Sequence, residues 1–221
     1  MKEGILIIDK PAGITSHDVV DAVRGKLGIR RVGHAGTLDP IATGILIILV
    51  GRATKFFNKF VNFFKEYTAT LTLGITTDTG DALGKVIKTQ DIEGLNPEKI
   101  KDVFGKFVGE IQQVPPMVSA LKYKGKRLYI LAKKGIVVPR KSRKLTIYAL
   151  EVKKIDLPKI DFYVKCSKGT YIRQLGEDIG NCLNCGGHIS EIRRIAIGPF
   201  RIEEAVKVED VNESLLRRWQ D

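Results

Sequence analysis

Apolar and polar residues follow patterns along the chain that predict both strands and helices. Residues 4–10, GILIIDK, form a short apolar run closed by Pro11 and Gly13, which is typical of a strand. Residues 44–51, GILIILVG, are apolar throughout and favour a strand that is buried on both faces. Residues 65–75, KEYTATLTLGI, alternate between polar and apolar positions and therefore predict a half-buried strand.

Helical spacing of apolar residues recurs in four segments. Ser16 is predicted to cap the first helix, which Gly25 and Gly28 help to end. The inner face of this helix is formed by Val19, Val20, Val23 and Leu27. Asn96 and Pro97 mark the start of a second helix, because these residue types favour the cap and the first position. Further helices are predicted at residues 170–183 and 208–219, and neighbouring strands at 144–155 and 159–169. The whole pattern predicts an α/β protein of the α+β type, with a mixed, largely antiparallel sheet flanked by helices.

Length and charge restrict the class of protein. The chain has 221 residues, of which 43% are hydrophobic and 28% charged, and this favours one globular domain with a sizeable core. Its 37 Lys and Arg against 25 Asp and Glu give a net charge of +12, so a polyanionic partner is expected. The first apolar run ends at Asp9 and is no signal peptide, and the run ILIILV is too short to span a bilayer. We therefore expect a cytoplasmic protein without membrane contact.

The three cysteines raise the question of a metal site. An odd number of cysteines without a secretory signal argues against a disulfide framework. Cys182, Cys185 and His188, in CLNCGGH, have spacings that a zinc ion could use, and Cys166 is the cysteine left for a fourth ligand. Small buried or loop thiols are the favoured interpretation, and a zinc site is the alternative.

Residues 111–150 contain no Asp or Glu, and we call this segment the basic arm. Its ten charges are Lys122, Lys124, Lys126, Arg127, Lys133, Lys134, Arg140, Lys141, Arg143 and Lys144. A run of charges is most often a solvated surface. Here Tyr123, Tyr129 and a stiff VPP accompany the charges, which favours an arm that binds the phosphate backbone of a nucleic acid.

The loop GHAGTLDP, residues 33–40, places His34 and Asp39 directly before a buried apolar run. Because Asp39 precedes Pro40, its backbone is restricted to extended conformations, which constrains the direction of the side chain. Such a carboxylate either takes part in catalysis or makes a turn bond to nearby amides. An arginine that faces it, such as Arg173 at the start of a predicted helix, would keep it ionised.

Five groups of motifs occur in order from about Gly4 to Phe200: DKPAGITSHDVV, GHAGTLDPIATGILIILVGRATK, EYTATLTLGITTDTGDALG, VPPMVSALKYKGKRLY, and KGTYIRQLGEDIG followed by GGHISEIRR. Together they resemble the bacterial TruB family, the tRNA pseudouridine synthases that act on the T arm. The resemblance implies the pseudouridine synthase catalytic fold and the isomerisation of uridine to pseudouridine at position 55 of tRNA. It also implies base flipping, a monomer, no cofactor and no obligatory protein partner. The segment GRATK agrees with this, since it lacks the glycines of a phosphate-binding loop.

The resemblance assigns roles to the residues that match the motifs. Asp39 matches the catalytic aspartate, and Arg173 matches its salt-bridge partner. Tyr67 matches the tyrosine that stacks on the target base and is a candidate for proton transfer, although a core tyrosine is the alternative. His34 matches the histidine that fills the space left by the flipped nucleotide, and Tyr171 matches the tyrosine beside the aspartate.

Four further positions match residues that support the site. Asp81, in DTGDA, matches a second acid that joins the network of arginine and aspartate. Ile192 stands where the family commonly has Leu in the uracil pocket, and the change keeps the side-chain volume. Lys10 and Pro11 match a pair that supports the site from the first strand.

The resemblance also predicts the domain organisation. A catalytic domain is expected at residues 1–200, including the basic arm, followed by a short tail at 201–221. Many bacterial members carry a C-terminal RNA-binding (PUA) domain, and the tail is too short for a complete one, so the catalytic domain and the basic arm are expected to bind the RNA. Two alternatives stay open. One is a non-catalytic RNA chaperone or ribosome-assembly factor, which needs the basic arm but not Asp39; the other is a guide-directed pseudouridine synthase inside a ribonucleoprotein.

Overall fold

The computed structural model describes residues 3–219. The chain divides into a first unit, Met1–Thr68 with Ile192–Asp221, and a second unit, Ala69–Glu191. In chain order, the strands are β1 (Gly4–Lys10), β2 (Val32–His34), β3 (Thr43–Val50), β4 (Lys65–Leu73), β5 (Ile75–Thr77), β6 (Val86–Thr89), β7 (Gly109–Gln113), β8 (Lys122–Tyr123), β9 (Lys126–Arg127), β10 (Arg143–Asp156), β11 (Lys159–Cys166), β12 (Gly187–Ile197), β13 (Phe200–Arg201) and β14 (Val206–Lys207). The helices are α1 (Ser16–Leu27), α2 (Phe57–Val61), α3 (Pro97–Gly105), α4 (Leu128–Ala132) and α5 (Ile172–Cys182).

Strand β3 organises the sheet of the first unit. The whole of β1 pairs antiparallel with β3, from Gly4 opposite Val50 to Lys10 opposite Gly44. β2 is also antiparallel to β3, whereas β14 is parallel to β1 and β12 is parallel to β3. The predicted mixed sheet is therefore confirmed. The predicted burial of β3 is confirmed as well, because every residue after Thr43 in this strand is buried.

The core of the first unit lies against one face of these strands. Alternate residues of a strand share a face, and for β3 these are Ile45, Ile47 and Leu49. They pack with Ile5, Ile7, Ala35, Ala53, Phe60 and Ile197. Phe56, Phe63, Phe200 and Trp219 extend this cluster towards the surface. A rigid core therefore lies directly beneath the segments that flank the loop containing Asp39.

Helix α1 forms as predicted, but its cap is Thr15 and not Ser16. The Thr15 hydroxyl accepts a hydrogen bond from the Asp18 N–H at 3.1 Å, and the Asp18 carboxylate accepts one from the Thr15 N–H at 2.7 Å. This reciprocal pair is a capping box. Gly28 ends the helix with φ 65°, as predicted, whereas Gly25 lies inside the helix and does not end it.

The second unit contains the predicted pair of long strands. β10 pairs antiparallel with both β7 and β11. Helix α3 has the expected start, because the Asn96 side chain accepts from the Lys99 N–H at 2.8 Å and Pro97 is the first helical residue. Phe104 of α3 packs against Phe162 of β11, with ring centroids 5.5 Å apart.

The basic arm begins within β7 and ends within β10, and its middle part, between these two strands, lies outside the sheet. The excursion contains the hairpin of β8 and β9, followed by the short helix α4. Lys124 and Gly125 form the hairpin turn with φ 46° and 82°, which suits a two-residue turn. Leu128 and Leu131 of α4 are buried, so the insertion has a small apolar anchor of its own.

The prediction of a helix at residues 208–219 is wrong. The structure has two short 3₁₀ turns there, Val208–Asp210 and Glu213–Leu215. Arg217 then exchanges two backbone hydrogen bonds with Ile5, of 2.9 and 3.0 Å. These bonds use backbone groups of β1 that lie beyond its pairing with β14, and this tertiary contact outweighs a weak local helical pattern.

No element was predicted at Gly187–Ile197, where the structure has strand β12. Consecutive glycines and two adjacent arginines interrupt the apolar pattern of this segment, although most of its residues are buried. Among residues 3–219, no helix is long and apolar enough to cross a membrane.

Candidate active site

The loop that carries Asp39 connects β2 to β3 in the first unit. Backbone hydrogen bonds hold it at both ends: the Ala35 N–H donates to the Ile47 carbonyl at 2.9 Å, and the Ala42 N–H donates to the Asp39 carbonyl at 3.0 Å. The Gly13 N–H donates to the Pro40 carbonyl at 2.8 Å. Asp39 is half-buried in this loop.

Ser16 holds the middle of the same loop. Its hydroxyl donates to the Leu38 carbonyl at 3.0 Å and accepts from the Leu38 N–H at 2.8 Å. Both backbone groups of the residue before Asp39 are therefore satisfied by one buried side chain, as buried polar groups require. This explains why Ser16 does not cap helix α1.

Lys10 is buried at the end of β1, with 0% of its surface exposed. Its ammonium donates to the carbonyls of Pro11 at 2.7 Å, Ile14 at 2.8 Å and Pro40 at 3.4 Å. Burial lowers the pKa of Lys10 to about 8, and the nearby charge of Asp39 opposes part of this decrease. Lys10 thus holds the backbone next to Asp39 and places a positive charge near its carboxylate. Pro11, which follows it, is exposed and contributes its carbonyl to this contact.

His34 is the last residue of β2 and is half-buried. Burial, reinforced by the charges of Arg194 and His17, lowers its pKa to about 4. Its Nδ1 atom is buried and has no hydrogen-bond partner among residues 3–219. At neutral pH the imidazole is therefore uncharged, which suits contact with a nucleobase better than contact with phosphate.

We predict that His34 makes the protein acid-sensitive. The folded pKa of about 4 lies below the ordinary 6.5, so the unfolded state binds more protons between these values and stability falls as pH falls through this window. When the pH falls from 6.5 to 5, the free energy of unfolding should decrease by about 1–2 kcal/mol less in His34→Gln than in the native protein. Urea unfolding at both pH values measures this. Equal acid losses in the native protein and His34→Gln would contradict the prediction.

Tyr67 and Ile192 are the other matched residues of the first unit. Tyr67 lies on β4 with 7% of its surface exposed, and Ile192 lies on β12 with 8% exposed. Both are nearly buried, so a nucleobase that stacks on Tyr67 would meet a side chain already held by its surroundings. Their roles toward a base stay predictions.

The second unit holds Arg173 and Asp81. Arg173 lies in the first turn of α5 and is 2% exposed. Its Nη1 donates to the Thr79 carbonyl at 2.7 Å and its Nη2 to the Val118 carbonyl at 2.9 Å. Its Nε lies 3.6 Å from Oδ2 of Asp81, and Oδ1 of Asp81 accepts from the Thr79 hydroxyl at 2.7 Å. These contacts fix the plane of a buried guanidinium.

Tyr171 precedes α5 and is positioned by Gln113, a residue that the sequence analysis missed. The Gln113 amide accepts from the Tyr171 N–H at 2.9 Å and donates to the Tyr171 carbonyl at 3.1 Å. Gln113 is buried and ends β7, within the basic arm. It therefore connects the sheet end of the basic arm to the start of the helix that carries Arg173.

The structure thus places the matched residues in two groups. Lys10, His34 and Asp39 lie around one loop of the first unit, where Tyr67 and Ile192 also belong, and Asp81, Tyr171 and Arg173 belong to the second unit. A further residue of the first unit, Arg194, was missed although it is almost completely buried. A charged residue inside the apolar run IRRIAI was the available signal, because arginine is rarely buried without a purpose.

The charges of the basic arm are mainly exposed. Of the ten, only Arg140 is half-buried, and its Nη1 donates to the Pro115 carbonyl at 3.2 Å. Lys144 forms a 2.7 Å ion pair with Glu110, which lies just outside the acid-free segment. Arg127 donates to the Ala120 carbonyl at 3.2 Å. The remaining lysines of the hairpin and of the α4 region present their charge to solvent.

The cysteines do not gather around a metal. Cys166 and Cys185 are buried and Cys182 is exposed. Nδ1 of His188 lies 3.0 Å from the Ile75 carbonyl oxygen. Within residues 3–219, no group of three or more His, Cys, Asp or Glu side chains could hold a metal ion.

Two solved structures that contain similar chains are complexes. A chain in the crystal structure of a Cbf5-Nop10-Gar1 complex matches with a TM-score of 0.74 and 33% identity, over 95% of this chain and 53% of that one. A chain in an H/ACA RNP bound to a substrate RNA containing 2'-deoxyuridine matches with a TM-score of 0.70 and 30% identity, over 94% and 51%. This chain therefore spans about half the length of those chains. The shared fold is that of pseudouridine synthases.

Family models cover residues 24–172, as TruB family pseudouridylate synthase (N-terminal domain), and residues 173–221, as tRNA pseudouridylate synthase B C-terminal domain. The chain belongs to the TruB family. tRNA pseudouridine synthase B of Clostridium kluyveri is 50% identical over 97% of this chain and 74% of that protein. The protein of the same name from Endomicrobium trichonymphae is 46% identical over 96% of this chain and 92% of that protein.

Proposed function

We propose that this chain isomerises uridine to pseudouridine at position 55 in the T arm of tRNA, as a monomer and without a cofactor. The observation that carries the proposal is the rigid presentation of Asp39, in a loop held by Lys10 and Ser16, within a member of the TruB family. The curated relatives that are 45–50% identical are tRNA pseudouridine synthases, which supports tRNA as the substrate.

The reaction requires that the target base leave its stack, at a cost of a few kcal/mol. Stacking of the base on Tyr67 offsets about 1–3 kcal/mol of this cost. Ile192 lines the uracil pocket, and the uncharged His34 fills the space that the base leaves in the RNA. The C1'–N1 glycosidic bond then breaks, the base rotates, and a C1'–C5 bond forms. The hydrogen on C5 leaves as a proton and N1 gains a proton, so the reaction needs no redox partner.

Asp39 is the group that acts on the glycosidic bond. An ionised carboxylate either attacks the sugar or the base covalently, or stabilises the positive charge that develops on the sugar. We propose that Arg173 keeps this carboxylate ionised and aims it, that Asp81 holds Arg173 in the required plane, and that Tyr171 lies beside the pair. Each role requires a group held in one orientation, which the contacts of Arg173 and Tyr171 support.

The basic arm is proposed to bind the phosphate backbone of the stem-loop. Lys122, Lys124 and Lys126 lie together on its exposed hairpin. Replacing all three with Ala should weaken RNA binding about tenfold at low salt and reduce the slope of log affinity against log salt by about 2, because fewer counterions are released. Binding titrations at several salt concentrations measure both quantities.

A matched control uses three exposed lysines of the hairpin between β10 and β11: Lys153, Lys154 and Lys159. Their replacement with Ala removes the same charge from the same unit and should leave the salt slope unchanged. An equal decrease in slope for both triple variants would mean that net charge, and not the basic arm, determines RNA binding.

The reaction itself is tested with an unmodified T-arm stem-loop that carries tritium at C5 of its uridines. Formation of the C1'–C5 bond expels this label into water, so tritium release reports pseudouridine directly. A stem-loop with cytidine at position 55 is the matched control. The assay contains no guide RNA, partner protein or added metal. Release that depends on uridine 55 is expected, and tight binding without release would contradict the proposal.

The similarity to chains from Cbf5-Nop10-Gar1 and H/ACA RNP structures favours one alternative, an enzyme that works inside a ribonucleoprotein. The higher identity to the tRNA pseudouridine synthases supports direct action on tRNA. The assay above separates these functions, because it contains no guide RNA to pair with the target and present it to a guide-directed enzyme.

A further inference from the structure

Arg194 lies on β12, two residues after Ile192, and only 1% of its surface is exposed. Its guanidinium donates to three backbone carbonyls: Nε to Ile45 at 2.8 Å, Nη2 to Gly36 at 3.0 Å and Nη1 to Thr37 at 3.4 Å. One acceptor belongs to β3 and the other two belong to the loop that carries Asp39. The planar guanidinium thus connects the loop to the central strand of the first unit.

The backbone around Arg194 is built for this close approach. Gly44 of β3 pairs with Arg194 in the parallel ladder and has φ 99°. A Cβ at Gly44 would lie 2.2 Å from the Arg194 carbonyl oxygen, so no larger residue fits without displacing β12. Gly36, whose carbonyl accepts from Arg194, also has a positive φ, of 104°. Both glycines permit backbone shapes that side chains would strain.

Arg194 holds the backbone that precedes Asp39 in the sequence, and Lys10 holds the backbone that follows it. Arg194 binds the carbonyls of residues 36 and 37, and Lys10 binds that of Pro40. Burying two cations in one small region is unfavourable, and an apolar side chain of similar volume often stabilises a core at least as well. The arrangement is therefore explained better by a need for fixed loop geometry than by stability alone.

We propose that Arg194 is a positioning residue for Asp39, which it aims by fixing the backbone of Gly36 and Thr37. The inference rests on the proposed function, because it takes Asp39 as the catalytic carboxylate. Arg194 acts through the loop and contacts neither base nor phosphate. Its loss should therefore lower the rate of isomerisation and leave RNA affinity nearly unchanged.

The test compares two variants. Arg194→Met keeps much of the side-chain volume, and Arg194→Lys keeps a positive charge and a hydrogen-bond donor but loses the planar guanidinium. Single-turnover tritium release gives the rate, and titration of the stem-loop gives the affinity. In Arg194→Met we expect the rate to fall at least tenfold with affinity within threefold of native, and in Arg194→Lys a smaller fall. Arg193→Met is the control on the same strand, because Arg193 is part-exposed and pairs with Asp9, and it should stay within twofold of native.

Hydrogen exchange provides a readout that does not depend on activity. Amides of residues 35–38 should exchange at least tenfold faster in both Arg194 variants, with β1 and β3 unchanged. If Arg194→Met does not fold, the two measurements on Arg194→Lys decide the question. Native rate, or native exchange in the loop, would overturn the inference. Absence of tritium release from the native protein would instead contradict the proposed function, and the exchange result would then report on the loop alone.

Discussion

Asp39→Asn should reduce pseudouridine formation by at least about 1000-fold while the affinity for the T-arm stem-loop changes less than threefold. The amide keeps the size of the carboxylate but can neither attack as an anion nor stabilise positive charge on the sugar. The backbone contacts from Ser16 and Lys10 hold the loop whichever side chain stands at this position, so the fold should be preserved. Single-turnover tritium release and binding titration measure the two effects.

Asp21→Asn is the matched control for this variant. Asp21 is an exposed carboxylate in the same unit that pairs with Arg24 on α1, and its replacement should leave both rate and affinity unchanged. If Asp39→Asn kept more than a tenth of the native rate, the catalytic role would be wrong. If neither the native protein nor Asp39→Asn formed product although both bound RNA tightly, the RNA chaperone would be the better interpretation.

Arg173→Lys should lower the rate by about 100-fold, again with little change in RNA affinity. Lysine keeps the positive charge, but its single ammonium cannot reach Asp81, the Thr79 carbonyl and the Val118 carbonyl from one fixed plane. The carboxylate that Arg173 is proposed to aim would then be less well oriented and less strongly kept ionised. Arg173→Ala is a poorer choice because it leaves Asp81 buried without this cation, which is strongly destabilising.

Separate measurements of the rate and of RNA affinity in Arg173→Lys distinguish a role at Asp39 from a contact with RNA. If Arg173 aims Asp39, the rate should fall while RNA affinity stays within threefold of native. Arg52→Lys is the control, because Arg52 makes a similar two-pronged contact with Glu3 but is exposed. Equal losses of rate and affinity in Arg173→Lys would identify Arg173 as an RNA contact.

The strands and helices that could be predicted are those whose pattern is set locally. The unbroken apolar run of β3 and the Asn-Pro start of α3 carry their own signals, and both predictions are confirmed. The predicted closing helix failed because the segment takes its hydrogen bonds from Ile5, more than two hundred residues away along the chain. Strand β12 was missed because a buried Arg194 interrupts its apolar pattern.

The site shows the same division between local and distant causes. Asp39 could be singled out because Pro40 and the following apolar run constrain it locally. Ser16 was wrongly predicted to cap α1, because its actual partner, Leu38, lies 22 residues further along the chain. Gln113 and Arg194 could not be found from spacing, because their partners lie 58 and 149 or more residues away. The sequence therefore indicates the reacting residues more readily than the residues that hold them in place.

Backbone carbonyls, and not side chains, receive the contacts that Lys10 and Arg194 make with the loop of Asp39. Thr37 is exposed and contributes its carbonyl to Arg194, so its side chain can be replaced by one that carries a spectroscopic label. A fluorophore or spin label at this position would lie two residues from Asp39, where it could report the arrival of the RNA.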